Sequence, residues 1–177
     1  MTFRNVIDLR GKYNILRQTR SGSIPLELAV NVSSGIVTMD GLGWETTDRF
    51  SYFGSLMVAR KFNRLSLQIS PMAAHFNRTW SPDNQMQLFG LGILANVDLN
   101  DRFSLSGEYI PVLGDRNPGT ADAMGFALNI DTGGHVFQIF LTSSQWHNEA
   151  YILANNSHKF WEGEFRFGFN INRVFGL

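Results

Sequence analysis

Between Ala123 and Thr142, apolar and polar positions alternate one for one. Met124, Phe126, Leu128 and Ile130 take one set of positions, and Ala123, Gly125, Ala127, Asn129 and Asp131 take the other. After Thr132-Gly133-Gly134, Phe137, Ile139 and Leu141 alternate again with Val136, Gln138 and Thr142. Successive side chains of a strand leave opposite faces of the sheet, and glycine supplies the positive φ of a tight turn. The stretch therefore predicts a β-hairpin with one oily face and one small or polar face.

The same period recurs along the rest of the chain. Over Val6 to Gln18, Leu9, Tyr13 and Ile15 oppose Asp8, Arg10, Lys12 and Asn14; next, Leu26, Leu28, Val30 and Val32 oppose Glu27, Ala29, Asn31 and Ser33. Phe50 to Lys61 reads as a less regular strand, and Leu65, Leu67 and Ile69 start another whose end, near Pro71 to Phe76, the pattern does not fix. Phe89, Leu91, Ile93, Ala95 and Val97 share a face within Gln85–Val97, and Phe103, Leu105 and Tyr109 oppose Ser104, Ser106 and Glu108. The final segment sets Phe165, Phe167, Phe169 and Ile171 against Glu164, Arg166, Gly168 and Asn170. Nine strands result, and Glu149 to Ala154, inside the longest connection, predicts a short helix.

Connection lengths carry the topology. After the first, third, fifth and seventh strands they are short, and after the second, fourth, sixth and eighth they are long. Transmembrane barrels show this alternation of tight turns and longer external loops, which Greek-key sandwiches do not require. In a barrel of that kind the oily face meets lipid and the polar face lines the lumen. The lipid-facing set is then Leu26, Leu28, Val30, Phe126, Leu128, Ile130, Phe137, Ile139, Leu141, Phe165, Phe167 and Phe169. The lumen set is Asp8, Arg10, Lys12, Glu27, Asn31, Glu108, Asn129, Asp131, Gln138, Glu164, Arg166 and Asn170. Trp44, Trp80, Trp146 and Trp161 all fall in or beside long connections, where an interfacial aromatic belt is expected. The fold class is thus all-β, an antiparallel up-and-down transmembrane β-barrel of about 8–10 strands, in one domain over residues 1–177.

Composition sharpens this reading. Charged residues make up 17% of the chain, against about 25% in an ordinary soluble domain, while 15 phenylalanines help raise the aromatic share to 13%. Acids and bases balance at 15 each, so no electrostatic case exists for nucleic acid. The absence of cysteine excludes disulfides and thiolate chemistry. Gln85 to Val97, an apolar run without charge, is far short of the roughly 20 residues of a spanning helix. The N-terminal Met1-Thr-Phe-Arg-Asn-Val-Ile-Asp has neither the basic nor the apolar region of a secretory signal. Nine strands would also leave the two ends on opposite rims, whereas single-chain barrels normally have an even count. Both observations predict that this chain is the C-terminal portion of a longer barrel.

Three stretches carry a family likeness: Leu56-Met-Val-Ala-Arg-Lys-Phe through Leu65-Ser-Leu-Gln-Ile-Ser-Pro, Asp131-Thr-Gly-Gly-His-Val-Phe-Gln, and Phe167-Gly-Phe-Asn-Ile-Asn-Arg-Val-Phe. They resemble an uncharacterised β-barrel family of Bacteroidota, over most of the chain. The resemblance implies an outer-membrane location in a Gram-negative cell, a longer full-length protein, and no known substrate or catalytic residue. The last strand also partly resembles the C-terminal signal for barrel insertion, with Phe175 two residues before Leu177.

Candidate chemistry is sparse. A conducting pore and a lumen filled by paired charges both fit the inward acids and bases, since each must be neutralised or meet water. His75, His135, His147 and His158 match no zinc spacing, and no metal or cofactor is expected. Ser157-His158 with Glu149 suggests a lipid hydrolase at the outer rim, which would need the three side chains in hydrogen-bond reach and an oxyanion hole. The expected protein is a non-enzymatic outer-membrane barrel, structural or porin-like, whose partners are outer-membrane lipids, with any small solute or partner protein unspecified. A soluble lipocalin-like or sandwich binding protein is the alternative. The face occupied by Phe126, Phe137 and Phe165 separates the two.

Overall fold

The computed structural model describes residues 5–173. The C-terminal stretch through Phe175 and Leu177, with its insertion-signal likeness, lies outside the described residues.

One antiparallel sheet holds every strand. Its members are β1 (Val6–Leu16), β2 (Glu27–Val37), β3 (Phe50–Phe62), β4 (Leu65–Phe76), β5 (Gln87–Asp98), β6 (Phe103–Ile110), β7 (Val112–Leu113), β8 (Ala123–Asp131), β9 (His135–Thr142) and β10 (Arg166–Arg173). Neighbours in sequence are neighbours in space, with β1 and β10 at the two ends of the order. β7 continues β6 in the same register against β5: Ile93 pairs with Tyr109 and Phe89 with Leu113, each pair summing to 202. Pro111, which has no N–H, interrupts this strand, although its carbonyl still accepts the Leu91 amide at 3.1 Å. The ten segments are therefore nine traversals. Pro71, by contrast, leaves β4 unbroken and in register with Leu91, and the strand runs on to Phe76, so the strand left open-ended in the pattern is a full-length one.

The turns follow their residues. Asn63, at φ 52°, makes the left-handed bend between β3 and β4, a conformation Asn tolerates. In the β8–β9 hairpin the Thr132 amide donates to the His135 carbonyl at 3.0 Å, and Asp131 accepts the Gly133 amide at 2.7 Å. Gly133 carries the positive φ, 85°, that this turn requires.

Alternation holds on the outer face. Phe126, Phe137 and Phe165 are 45%, 38% and 47% exposed and point away from the interior, as do Leu28, Val30, Ile139, Phe167 and Phe169. On the inner face it breaks at the long-loop end, where Phe53, Ala74, Phe76, Leu88 and Val112 are buried. The partner they bury is α1 (Glu149–Asn155), the helix expected in the last long connection. Its Ala150, Tyr151, Leu153 and Ala154 complete a single apolar cluster inside the curve of the sheet. Asn148 caps the helix by accepting the Tyr151 amide at 3.3 Å, and Glu149 in the first turn suits the positive end of the helix dipole.

Candidate functional site: the lumen and its stopper

The inner face has three tiers. At the long-loop end, α1 sits against β3, β4 and β5. Gly90 on β5 makes this approach possible, because a Cβ there would lie 2.5 Å from Leu153 Cδ2. Phe76 meets the Tyr151 ring edge-on at 5.3 Å, and Trp146 stacks on the other side at 5.5 Å. Two asparagines fasten the helix to the 114–122 loop. Asn117 donates to the Ala154 carbonyl at 2.8 Å and accepts the Gln85 amide at 2.6 Å; Asn156 donates to the Ala121 carbonyl at 3.0 Å while its own carbonyl accepts the Ala121 amide. Arg10 on β1 pairs with Glu149, which joins the helix to the first strand as well.

At the turn-side end the inner face is polar and its side chains are linked to one another. Asn170 donates to Gln138 at 3.0 Å, Gln138 to Asn129 at 2.8 Å, and Asn129 to Ser106 at 2.7 Å. Ser106 donates to Asn96 at 2.9 Å, Asn96 to Asp98 at 3.0 Å, and Lys61 to Asp98 at 2.6 Å. This belt crosses β10, β9, β8, β6, β5 and β3. Each neutral link contributes about 0.5–1.5 kcal/mol net, and together they fix the side chains that face the lumen.

Between the belt and the stopper lies a cavity of about 350 Å³, lined by Ser106, Glu108, Gly125, Gln138, Phe140, Thr142, Trp146, His147 and Asn170 among others. Phe140, an inward aromatic on β9, spreads its ring over Gly168 of β10, where a Cβ would collide with it.

The sequence-predicted lumen residues fall into several settings. Asn129, Gln138 and Asn170 are in the belt, and Glu108 lines the cavity. Arg10 reaches the stopper; Asp8 lies 3.6 Å from it, and Lys12 and Glu27 share the inner face with buried Asn31. Asp131 closes its hairpin at the turn. Glu164 does not line the wall: it precedes β10 and accepts the Lys159 amide at 2.8 Å, bracing a 3-10 turn at Phe160–Glu162. Arg166 opens β10, in contact with Gln145 and His158.

Of the residues predicted on the outside, Leu26 precedes β2, while Leu128, Ile130 and Leu141 occupy outward positions of β8 and β9. Phe160 folds down over the outer face, 5.4 Å from both Phe126 and Phe165, and meets Trp161 edge-on at 5.6 Å. Trp161 is 78% exposed there. Trp44 and Trp80 lie 4.6 Å apart in neighbouring long loops. Trp146 is the exception to the rim: it packs inward on Tyr151, because α1 supplies an apolar surface there.

Ser157 Oγ lies 3.5 Å from His158 Nδ1, but the other ring nitrogen meets the Arg166 guanidinium at 3.2 Å, and Glu149 is engaged by Arg10. These three residues do not form a serine–histidine–acid array. Among the described residues no group of three or more His, Asp or Glu is placed to hold a metal ion.

Asn117, Asn156 and the inward rings Phe53, Phe76 and Phe140 were not singled out in the sequence. The one visible sign was the loss of strict alternation in β3 and at the end of β4.

The profile of a family described as "Membrane bound beta barrel domain (DUF5777)", a domain of unknown function, matches residues 1–175. No curated protein and no solved structure matches the chain.

Proposed function

Because the chain belongs to this family of membrane-bound β-barrel domains, we propose that it is an outer-membrane barrel of a Gram-negative cell, without catalytic activity, whose polar lumen is stoppered on the long-loop side. The observation that carries the proposal is α1 in the lumen, with Tyr151 and Leu153 only 2% and 1% exposed among inward-facing side chains of β3, β4, β5 and β7. A barrel of this strand number has an interior that side chains nearly fill. A helix seated against the inner face of β3, β4 and β5 narrows it further. The protein is thus structural or solute-retaining at rest, and porin-like only when the stopper leaves.

Planar-bilayer recording tests this. The wild-type protein is expected to give no steady conductance. The double variant Tyr151→Asp/Leu153→Asp, which places charge in the apolar cluster and expels α1, is expected to give discrete open steps. Equal, steady conductance from both would refute the stopper.

A further inference from the structure

The lumen cavity is lined by a carboxyl group, that of Glu108, with no cationic partner among the described residues. Among the described residues Glu108 makes no hydrogen bond and no ion pair, although it lines the cavity with Trp146 and Phe140. Its side chain lies across Gly125: a Cβ on that glycine would be 3.2 Å from Glu108 Oε1, so the bare backbone lets the carboxylate point along the wall. Cross-strand register extends the row from Glu108 to Gly125, from Gly125 to Thr142, and from Thr142 to Arg166. Arg166 likewise meets no acid among the described residues. Its Nη2 lies 3.3 Å from Gln145 Oε1 and 3.2 Å from His158 Nε2, and its buried Nη1 has no acceptor.

One row thus has an unpaired carboxyl group at one end and a guanidinium without an acid at the other, separated by a glycine and a threonine. Three strand spacings put their backbones about 14 Å apart along the wall, and the Glu108 side chain, lying across Gly125, shortens that gap. Opposite charges kept apart in a partly desolvated site are each costly unless something meets them. The cavity of about 350 Å³, lined by Glu108 and Thr142 and with Arg166 cross-strand from Thr142 at its border, has the size of a small-ligand site.

We propose that this row binds a small zwitterion, its ammonium on Glu108 and its carboxylate on Arg166, with the body of the molecule against Phe140 and Trp146. An extended dipeptide, about 7 Å long, suits the gap left by the two side chains. The site is independent of the conductance reading, since an open or a stoppered lumen presents the same row and binding is measured without a bilayer.

The test is titration of the detergent-purified protein with glycylglycine, read by calorimetry and by Trp146 emission in a variant with the other tryptophans replaced by Phe. Saturable binding is expected. N-acetyl-glycylglycine and glycylglycine amide, each lacking one charge, should bind at least about tenfold more weakly to the unaltered protein, a comparison that needs no variant to fold. Glu108→Gln should weaken glycylglycine by a similar factor yet leave the acetylated form unaffected, and Arg166→Met should do the same for the amide form. No saturable binding, or equal binding of all three compounds, overturns the proposal.

Discussion

Two glycines hold the inner face in place by having no side chain. Gly90 is vacant where Leu153 enters, and Gly168 is vacant where the Phe140 ring lies. Leu153→Ala removes a side chain that is 1% exposed and is expected to cost about 2–5 kcal/mol. Gly90→Ala forces a methyl into the same space and is expected to cost about 1–3 kcal/mol. Because each change relieves the other, the double variant should lose clearly less than the sum of the two, as measured by thermal unfolding in detergent. Strict additivity would mean that the helix is not seated on β5. Gly168→Val should destabilise the β9–β10 pair in the same assay and should be partly rescued by Phe140→Ala. At this scale the sequence was only half legible. The alternation sets Gly168 opposite the phenylalanine face, but nothing in a strand pattern says which distant side chain fills the space beside it.

Elements differ in how plainly they are written. The outer face of every long strand follows period two, because lipid or any apolar surface selects the same residues at each second position. That is why β1, β2, β5 and the β8–β9 hairpin could be read to within a few residues. Where the inner face meets α1, polar-in no longer applies, and Phe53, Phe76 and Leu88 blur the alternation. The helix was legible as a helix, from Glu149 and the residues after it. Its place inside the sheet was not, since a helix of seven residues does not state what it packs against.

The loops allow a separate prediction. Asp48 accepts a hydrogen bond from Arg78 at 2.7 Å, and this holds its carboxyl below the ordinary value of 3.8; a further bond from the Glu45 amide acts in the same direction. Arg78 in turn lies 5.7 Å over the Trp44 ring, next to Trp80. A lowered carboxyl stabilises the folded loop above its unfolded value, and that contribution disappears as pH falls through the lowered one. Emission from Trp44 and Trp80, with Trp146 and Trp161 replaced by Phe, should therefore stay constant from neutrality to about pH 4 and change only below it. Asp48→Asn should remove the acid step. A transition near pH 6 would point to a histidine and contradict the assignment.

At the scale of the molecule, the two faces and the strand directions were both legible from the chain, because alternation and the short-long rhythm of the connections are global properties. Closure was not. Nine traversals leave β1 and β10 running in the same direction, and unpaired backbone groups in hydrocarbon cost several kcal/mol each. The orientation of the faces is the claim on which everything else rests, and the chain suits its measurement because it contains no cysteine. Single cysteines at residues 136 to 141 of β9, spin-labelled and reconstituted in lipid vesicles, should report access to dissolved oxygen at 137, 139 and 141, and to a water-soluble nickel complex or to neither reagent at 136, 138 and 140. An inverted alternation, or none at all, would contradict a sheet whose phenylalanine face lies against the membrane.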